Sequence, residues 1–358
     1  MTKVATNVVE FRRKLRIIMI GPVPPPVGGT TVSFDALCQF LSPRLRSCIV
    51  VDTVRRSHGT GVTAAVTLLK LARAIWNSDV VTAHFSDRAA FTMAPLMWAV
   101  CRITKKPFIF RQFGGEFNRT FHSLPRWWRW LVANTIFRSD AVFLQTKAMM
   151  CDFAHLSDAL HWFPTARRAL SPGYRDRFAS GEAPALRCLF LGHISRAKGV
   201  LAAANAVNAV SEAMLDVYGP LIDLSEEQFV GGRVQYRGVA APDKVATVMA
   251  GYDLLIFPTT HPGEGYSGTL VEAAMVGLPI LATRWQSLPE MFAEDEVIFV
   301  DPARADDLVV ALRKVVSDPR DLTVRSQRLI RRSSDFDADR IFGHFLSVCC
   351  DIASRKRA

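Results

Sequence analysis

Two glutamates, Glu264 and Glu272, stand eight positions apart and bracket the run Gly265-Tyr266-Ser267-Gly268-Thr269. The segment follows a short apolar run, Leu254–Phe257, and opens a helical pattern near Gly268. Glycines in such a run permit a tight turn and close approach of the backbone to a ligand. The first turn of the following helix offers unpaired N–H groups and the positive end of a dipole, which suits a phosphate. One carboxylate before the turn and one inside the helix can then accept hydrogen bonds from hydroxyls on either side of that phosphate. A nucleotide-sugar has this layout: hexose hydroxyls, diphosphate, ribose hydroxyls.

Three further clusters carry chemistry-bearing residues. Leu191-Gly192-His193-Ile194-Ser195-Arg196-Ala197-Lys198-Gly199 follows an apolar run. Its basic side chains can stabilise the negative charge that grows on a departing diphosphate. Gly21 to Thr31 is a Pro- and Gly-rich loop containing Gly28 and Gly29. It is not a P-loop, because no lysine precedes Thr30. Phe110-Arg111-Gln112-Phe113-Gly114-Gly115-Glu116-Phe117 follows another strand pattern, and Val81-Thr82-Ala83-His84 ends a third. Asp335, Asp337 and Asp339 alternate ahead of a long helical pattern, where capping and dipole pairing explain them better than a metal does.

The stretch from Glu264 to Glu272, with Gly277-Leu278-Pro279 after it, resembles the paired-glutamate motif of glycosyltransferase family 4. The resemblance is sharp over about residues 186–290. It implies a retaining glycosyltransferase of the GT-B type: two Rossmann-like, doubly wound α/β domains facing across a cleft that closes on its substrates. By that resemblance Glu264, Lys198 and Arg196 are the catalytic groups. Glu272 holds the donor ribose, and Ser267, Gly268 and Thr269 hold the phosphates with Gly28, Gly29 and His193. The family places an arginine where this chain has His193, so Arg196 is expected to supply that charge. The family often has a histidine where this chain has Phe113, so His84, Arg111 or Glu116 is expected to serve the transferred sugar or acceptor. The implied substrate is a UDP- or GDP-linked sugar, with no metal or other cofactor.

The elements that must position these groups are legible in outline. Apolar runs alternate with helical patterns, which implies βαβ units and parallel sheets. Strands are expected at 17–20, 48–51, 79–83, 108–110 and 141–144, then at 186–191, 215–217, 234–236, 254–257, 280–282 and 297–300. A polar stretch, 171–184, reads as a linker. The expected domains are therefore 1–182, which binds the acceptor, and 183–358, which binds the nucleotide-sugar and carries the C-terminal helices. A chain of 358 residues is long enough for two cores, and 49% hydrophobic with 22% charged residues excludes a disordered chain. Seven scattered cysteines without a metal-type spacing read as reduced thiols of a cytoplasmic protein. The apolar stretch 17–20 is too short for a signal peptide, and the longest apolar run, 91–101, is too short to span a bilayer.

The net charge of +11 is uneven: residues 1–182 carry +14 and residues 183–358 carry −3. A basic half predicts an anionic partner. Leu124 to Arg138 carries three tryptophans and three arginines in one expected helix. With Arg44, Arg46, Arg55, Arg56, Arg102, Lys105 and Lys106 it predicts peripheral attachment to the anionic inner face of the plasma membrane. The expected acceptor is a lipid-linked or growing saccharide of a cell-surface polysaccharide. The competing readings are a GT-B-like nucleotide-sugar epimerase and a non-catalytic nucleotide-sugar-binding protein. Nucleic acid is not an expected partner, since no recognition motif accompanies the basic residues.

Overall fold

A computed structural model of the chain describes residues 14–26, 28–53, 72–171, 173–174, 177–178, 185–229, 232–304 and 306–357. Within it the chain divides into two compact units, Met1–Ala166 with Ala338–Ala358, and Arg167–Asp337.

The first unit is built on six strands: β1 (Arg16–Gly21), β2 (Ser47–Asp52), β3 (Val80–Ser86), β4 (Phe108–Phe113), β5 (Ala141–Leu144) and β6 (Leu160–Trp162). They lie in the order β2-β1-β3-β4-β5-β6, and every pairing is parallel. Helix α1 (Gly29–Leu41) follows β1, and α2 (Asp87–Ile103) follows β3. α3 (Phe117–Ser123) and α4 (Arg126–Ala133) lie between β4 and β5, and α5 (Lys147–Phe153) follows β5. The inner strands β1, β3, β4 and β5 are buried on both faces, as a parallel sheet covered by helices requires, while the edge strands β2 and β6 are partly exposed.

The second unit repeats the plan. Its strands are β7 (Leu186–Leu191), β8 (Ala213–Tyr218), β9 (Val234–Tyr236), β10 (Leu254–Phe257), β11 (Ile280–Thr283) and β12 (Ile298–Val300). They run parallel in the order β12-β11-β10-β7-β8-β9. Its helices are α6 (Val200–Asn208), α7 (Val245–Met249), α8 (Gly268–Val276), α9 (Leu288–Met291), α10 (Asp307–Ser317) and α11 (Arg320–Ser333). The strand order reverses between β7 and β10. Ligands of such open sheets bind at the carboxyl ends of the strands flanking that reversal.

Eleven expected strands are present. β6 is the addition: three half-buried residues at a sheet edge, too short to stand out. The expected helix over 124–138 is shorter, since α4 stops at Ala133 and a separate 3₁₀ turn covers Ile136–Arg138. All seven cysteines are free.

The division of the chain differs from the expected break after residue 182. It falls between Ala166 and Arg167. Much of 171–184 lies outside the described residues, as do Arg55 and Arg56. Its described part is tied to the second unit: Gly173 and Tyr174 donate backbone N–H groups to the Val276 carbonyl, and Arg177 pairs with buried Asp253 at 2.9 Å. The final helix, α12 (Ala338–Arg357), belongs to the first unit, not the second. The reason is its apolar stripe. Ile341, Phe342, Phe345, Leu346 and Ile352 recur at helical spacing and pack with Phe34 and Leu37 of α1 and Ile109 and Phe143 of the sheet.

Burying five such side chains contributes about 10 kcal/mol, comparable to the net stability of a whole domain. Residues 1–166 produced alone should therefore lack a cooperative thermal transition by circular dichroism. Fusing residues 338–358 to them through a flexible linker should restore it, while residues 167–337 should melt cooperatively alone. A cooperative melt of 1–166 without the helix would refute the assignment.

Candidate active site

Both motifs of the second unit leave the two strands that flank its order reversal. Lys198 lies in the loop after β7, and Glu264 in the loop after β10. The loops are locked together. Gly199 has φ +78°, and a Cβ there would come within 2.0 Å of the Pro258 carbonyl oxygen, so only glycine fits. The Thr260 N–H also donates to the Ala197 carbonyl at 2.9 Å. Ser195 caps the intervening turn through the Lys198 N–H.

Glu264 is the centre of the site. It is 5% exposed, so its carboxylate needs partners inside the protein. Lys198 Nζ donates to Oε2 at 2.7 Å, and the Thr259 hydroxyl donates to the same oxygen at 2.8 Å. Thr259 is itself buried and accepts at its carbonyl from the Thr283 hydroxyl. The turn before Glu264 is held by its N–H donating to the His261 carbonyl at 3.1 Å, and by Trp285 Nε1 donating to the same carbonyl at 2.8 Å. An ammonium has three donors, so Lys198 can hold Glu264 and still meet a second anion.

Beyond the turn, Ser267 is the residue before α8, and its side chain makes no cap bond to the first turn. Gly268 and Thr269 begin the helix. The rest of α8 is almost wholly buried, with Leu270, Val271, Ala273, Ala274, Met275 and Val276 in the core. Glu272 is the lone charge on this helix. Arg167 Nε donates to its Oε1 at 2.6 Å.

The remaining residues expected in the second unit are nearer the surface. Arg196 is exposed, and its backbone N–H is held by Asp223 at 3.0 Å. His193 is also exposed, yet desolvation, reinforced by the charge of Lys198 and by His261, holds its pKa below the ordinary histidine value. It is therefore a neutral hydrogen-bonding group at neutral pH, not a replacement for an arginine's charge.

Gly28 precedes α1 and Gly29 is its first residue; neither has positive φ, and a Cβ on Gly29 would meet only open space. Packing among the described residues does not demand glycine there. His84 is fully buried, its Nε2 3.0 Å from the Thr82 hydroxyl and its Nδ1 without a partner. Burial, with the nearby Arg111, holds its pKa well below the ordinary value. Arg111 is 2% exposed, bonds Ser33 Oγ at 3.0 Å, and lies against the rings of Phe163 and Phe113 at 3.8 and 4.3 Å. Phe113 is buried core. Glu116, before α3, pairs with Arg119 at 3.1 Å. His84 and Arg111 thus share one buried cluster, while Glu116 stands at a helix start.

Sequence reasoning missed Thr259 and Arg167. Thr259 could have been noticed as a hydroxyl two residues past a buried strand. Arg167 is 105 positions from Glu272 and carries no local signal. Of the aspartate run, Asp335 pairs with Arg332 at 3.0 Å, and Asp339 lies in the first turn of α12.

Breaking a buried pair strands a charge, at a cost of about 3 kcal/mol or more. Lys198→Met or Glu264→Gln should each lower the unfolding free energy of the second unit by about that amount. The double variant should lose clearly less than the sum of the two. Additive losses in chemical denaturation would show that the pair is not coupled.

Residues 185–318 match the family model described as "Glycosyl transferases group 1". Over 110 residues the chain is 30% identical to an MMP alpha-(1->4)-mannosyltransferase of Mycolicibacterium hassiacum; the match covers 30% of this chain and 26% of that protein. Over 157 residues it is 24% identical to a sulfoquinovosyl transferase of Arabidopsis thaliana, covering 42% of this chain and 30% of that protein. The matched segment thus spans less than a third of the length of these relatives. Among solved structures, sucrose-phosphate synthase from Thermosynechococcus elongatus has a TM-score of 0.72 at 13% identity, covering 95% of this chain and 100% of that one. Anabaena HepE, solved in complex with UDP, has a TM-score of 0.74 at 14% identity, covering 93% and 99%. At these identities the structural likeness shows the fold, two Rossmann-like domains. The match to the glycosyl transferases group 1 model falls on residues 185–318, the segment that carries Lys198, Glu264 and Glu272.

Proposed function

We propose that the protein is a retaining glycosyltransferase that takes a hexose from a nucleotide-sugar held on its second unit and passes it to an acceptor bound by its first unit. The observation that carries this reading is the Lys198–Glu264–Thr259 cluster, set where the strand order reverses and immediately before the first turn of α8. Glu264 accepts hydrogen bonds from hydroxyls of the donor hexose. Lys198, the first-turn N–H groups of α8 and the exposed Arg196 meet the diphosphate, and Glu272 meets the ribose. As the C1–phosphate oxygen bond breaks, negative charge collects on the diphosphate, and these groups lower the barrier by being in place beforehand. The acceptor hydroxyl bonds to C1 from the face the diphosphate leaves, and its proton passes to the departing phosphate oxygen. The anomeric configuration is thereby kept. No step requires a metal: lysine, arginine and the helix end supply the positive charge. UDP- and GDP-sugars are the leading donors.

A lipid-linked or growing saccharide of a cell-surface polysaccharide, met at the inner face of the plasma membrane, is the acceptor this reading favours. Trp127 and Trp130 of α4 are 63% and 67% exposed, while Trp128 turns inward and donates its Nε1 to the Phe91 carbonyl. Helix α2, to which that bond ties α4, exposes Met93 and Leu96. Exposed tryptophans among arginines suit the interface of an anionic bilayer. No helix among the described residues is long and apolar enough to cross a membrane.

A thermal-shift panel of UDP-, GDP-, ADP- and CDP-sugars tests the donor. A true donor at about a hundredfold excess over its Kd should stabilise the protein by about 3 kcal/mol. The gain should vanish in Glu264→Ala, together with donor turnover. Four flat curves would end the reading. Flotation with phosphatidylserine vesicles tests the surface. Binding should fall with added salt and fall further in Trp127→Ser/Trp130→Ser. Absence of salt-sensitive binding in the wild type would remove the membrane from the scheme.

A further inference from the structure

Arg167 belongs to no motif, yet it meets the site from outside. It is the first residue of the second unit. Its backbone N–H donates to the Phe336 carbonyl at 3.0 Å, and it forms an isolated parallel bridge with Asp337. The side chain then reaches α8, where Nε donates to Glu272 Oε1 at 2.6 Å; the two side chains are only 15% and 21% exposed.

The same guanidinium explains Gly268. A Cβ built there would stand 1.8 Å from Arg167 Nη2 and 2.7 Å from Cζ. Gly268 does not have positive φ, so its backbone would accept any residue. The side chain is missing because the guanidinium fills its place. A cation at the positive end of a helix is repelled by the dipole. The Glu272 carboxylate, bonded to Nε, offsets that repulsion.

We infer that Arg167 is a positioning residue for the nucleotide: it orients the Glu272 carboxylate toward the ribose diol, and Gly268 exists to admit it. The inference rests on the donor-site reading given above. A glutamate on a three-bond stem samples several rotamers, and a charge-assisted bond as short as this one selects among them. A carboxylate that has accepted one N–H keeps lone pairs enough for two vicinal hydroxyls. Lysine cannot substitute, because the contact is made by Nε of a planar fork whose outer nitrogen lies against Gly268.

Isothermal titration of the full chain with UDP, GDP, ADP and CDP identifies the tightest nucleotide. That nucleotide and its 2′,3′-dideoxy counterpart are then compared in wild type, Arg167→Ala and Arg167→Lys. Arg167→Ala should weaken the ribonucleotide by about tenfold. It should leave the dideoxy nucleotide unchanged, and Arg167→Lys should not rescue the loss. Arg167→Met, which keeps the length of the stem and removes every donor, should show the same selective loss if Arg167→Ala fails to fold. Equal loss on both nucleotides, restored by lysine, would make Arg167 a direct phosphate contact and overturn the inference. No loss on either would overturn it as well. A wild type that binds none of the four would instead sink the donor-site reading itself.

Discussion

A carboxylate withdrawn from water must be met by charge and hydrogen bonds inside the fold, and Glu264 is withdrawn almost completely. Its two donors come from different segments: Lys198 from the loop after β7, Thr259 from the residues just past β10. That pair of strands is adjacent only because the strand order reverses there. The cluster therefore depends on the topology of the whole sheet. Close approach of the two loops is in turn enforced by Gly199, whose backbone leaves no room for a side chain against Pro258. One interaction thus ties sheet order, loop contact and site chemistry together.

The second unit places its other charges in the same manner. Asp253 is buried and met by Arg177 and by the Arg187 backbone N–H, which pins the chain entering β7 to the start of β10. Glu272, alone on an apolar helix, is met by Arg167. Each acid is paired at hydrogen-bonding distance, and each pair joins segments far apart in the chain. Buried pairs of this kind add little net stability, because desolvation offsets attraction. What they supply is fixed geometry, the precondition for positioning a ligand.

What was legible in the sequence follows from the range of the interactions involved. Strands such as Ala141–Leu144 and Leu254–Phe257 are continuous apolar runs, so burial on both faces of a parallel sheet is written locally. The paired glutamates and Lys198 fall within short motifs, and their proximity follows once the strands on which they ride are known. The partners of those residues are another matter. Arg167 and Thr259 act through contacts that only the folded chain creates. The allegiance of α12 was equally hidden: its stripe of Ile341, Phe342, Phe345 and Leu346 announces a helix that must be buried, but not which core receives it. Position along the chain suggested the nearer unit, and packing chose the other.

The first unit treats its buried charge differently. Among the described residues no carboxylate pairs with Arg111. Its guanidinium is met by the faces of Phe113 and Phe163 and by the Ser33 hydroxyl, leaving Nε and Nη1 without partners. Burial pushes its pKa down to about 9, so it remains protonated at neutral pH. Neighbouring His84, also buried, is held neutral and cannot offset it. Aromatic faces return part of the desolvation cost of a cation, about 1–2 kcal/mol each, but they do not cancel its charge. The field of Arg111 therefore persists in a low-dielectric interior just short of the carboxyl ends of β3 and β4, where it is screened far less than a surface charge. The basic excess of this half of the chain is thus not only a surface property. One element of it is built into the core beneath the strand ends, where α/β sheets receive their ligands.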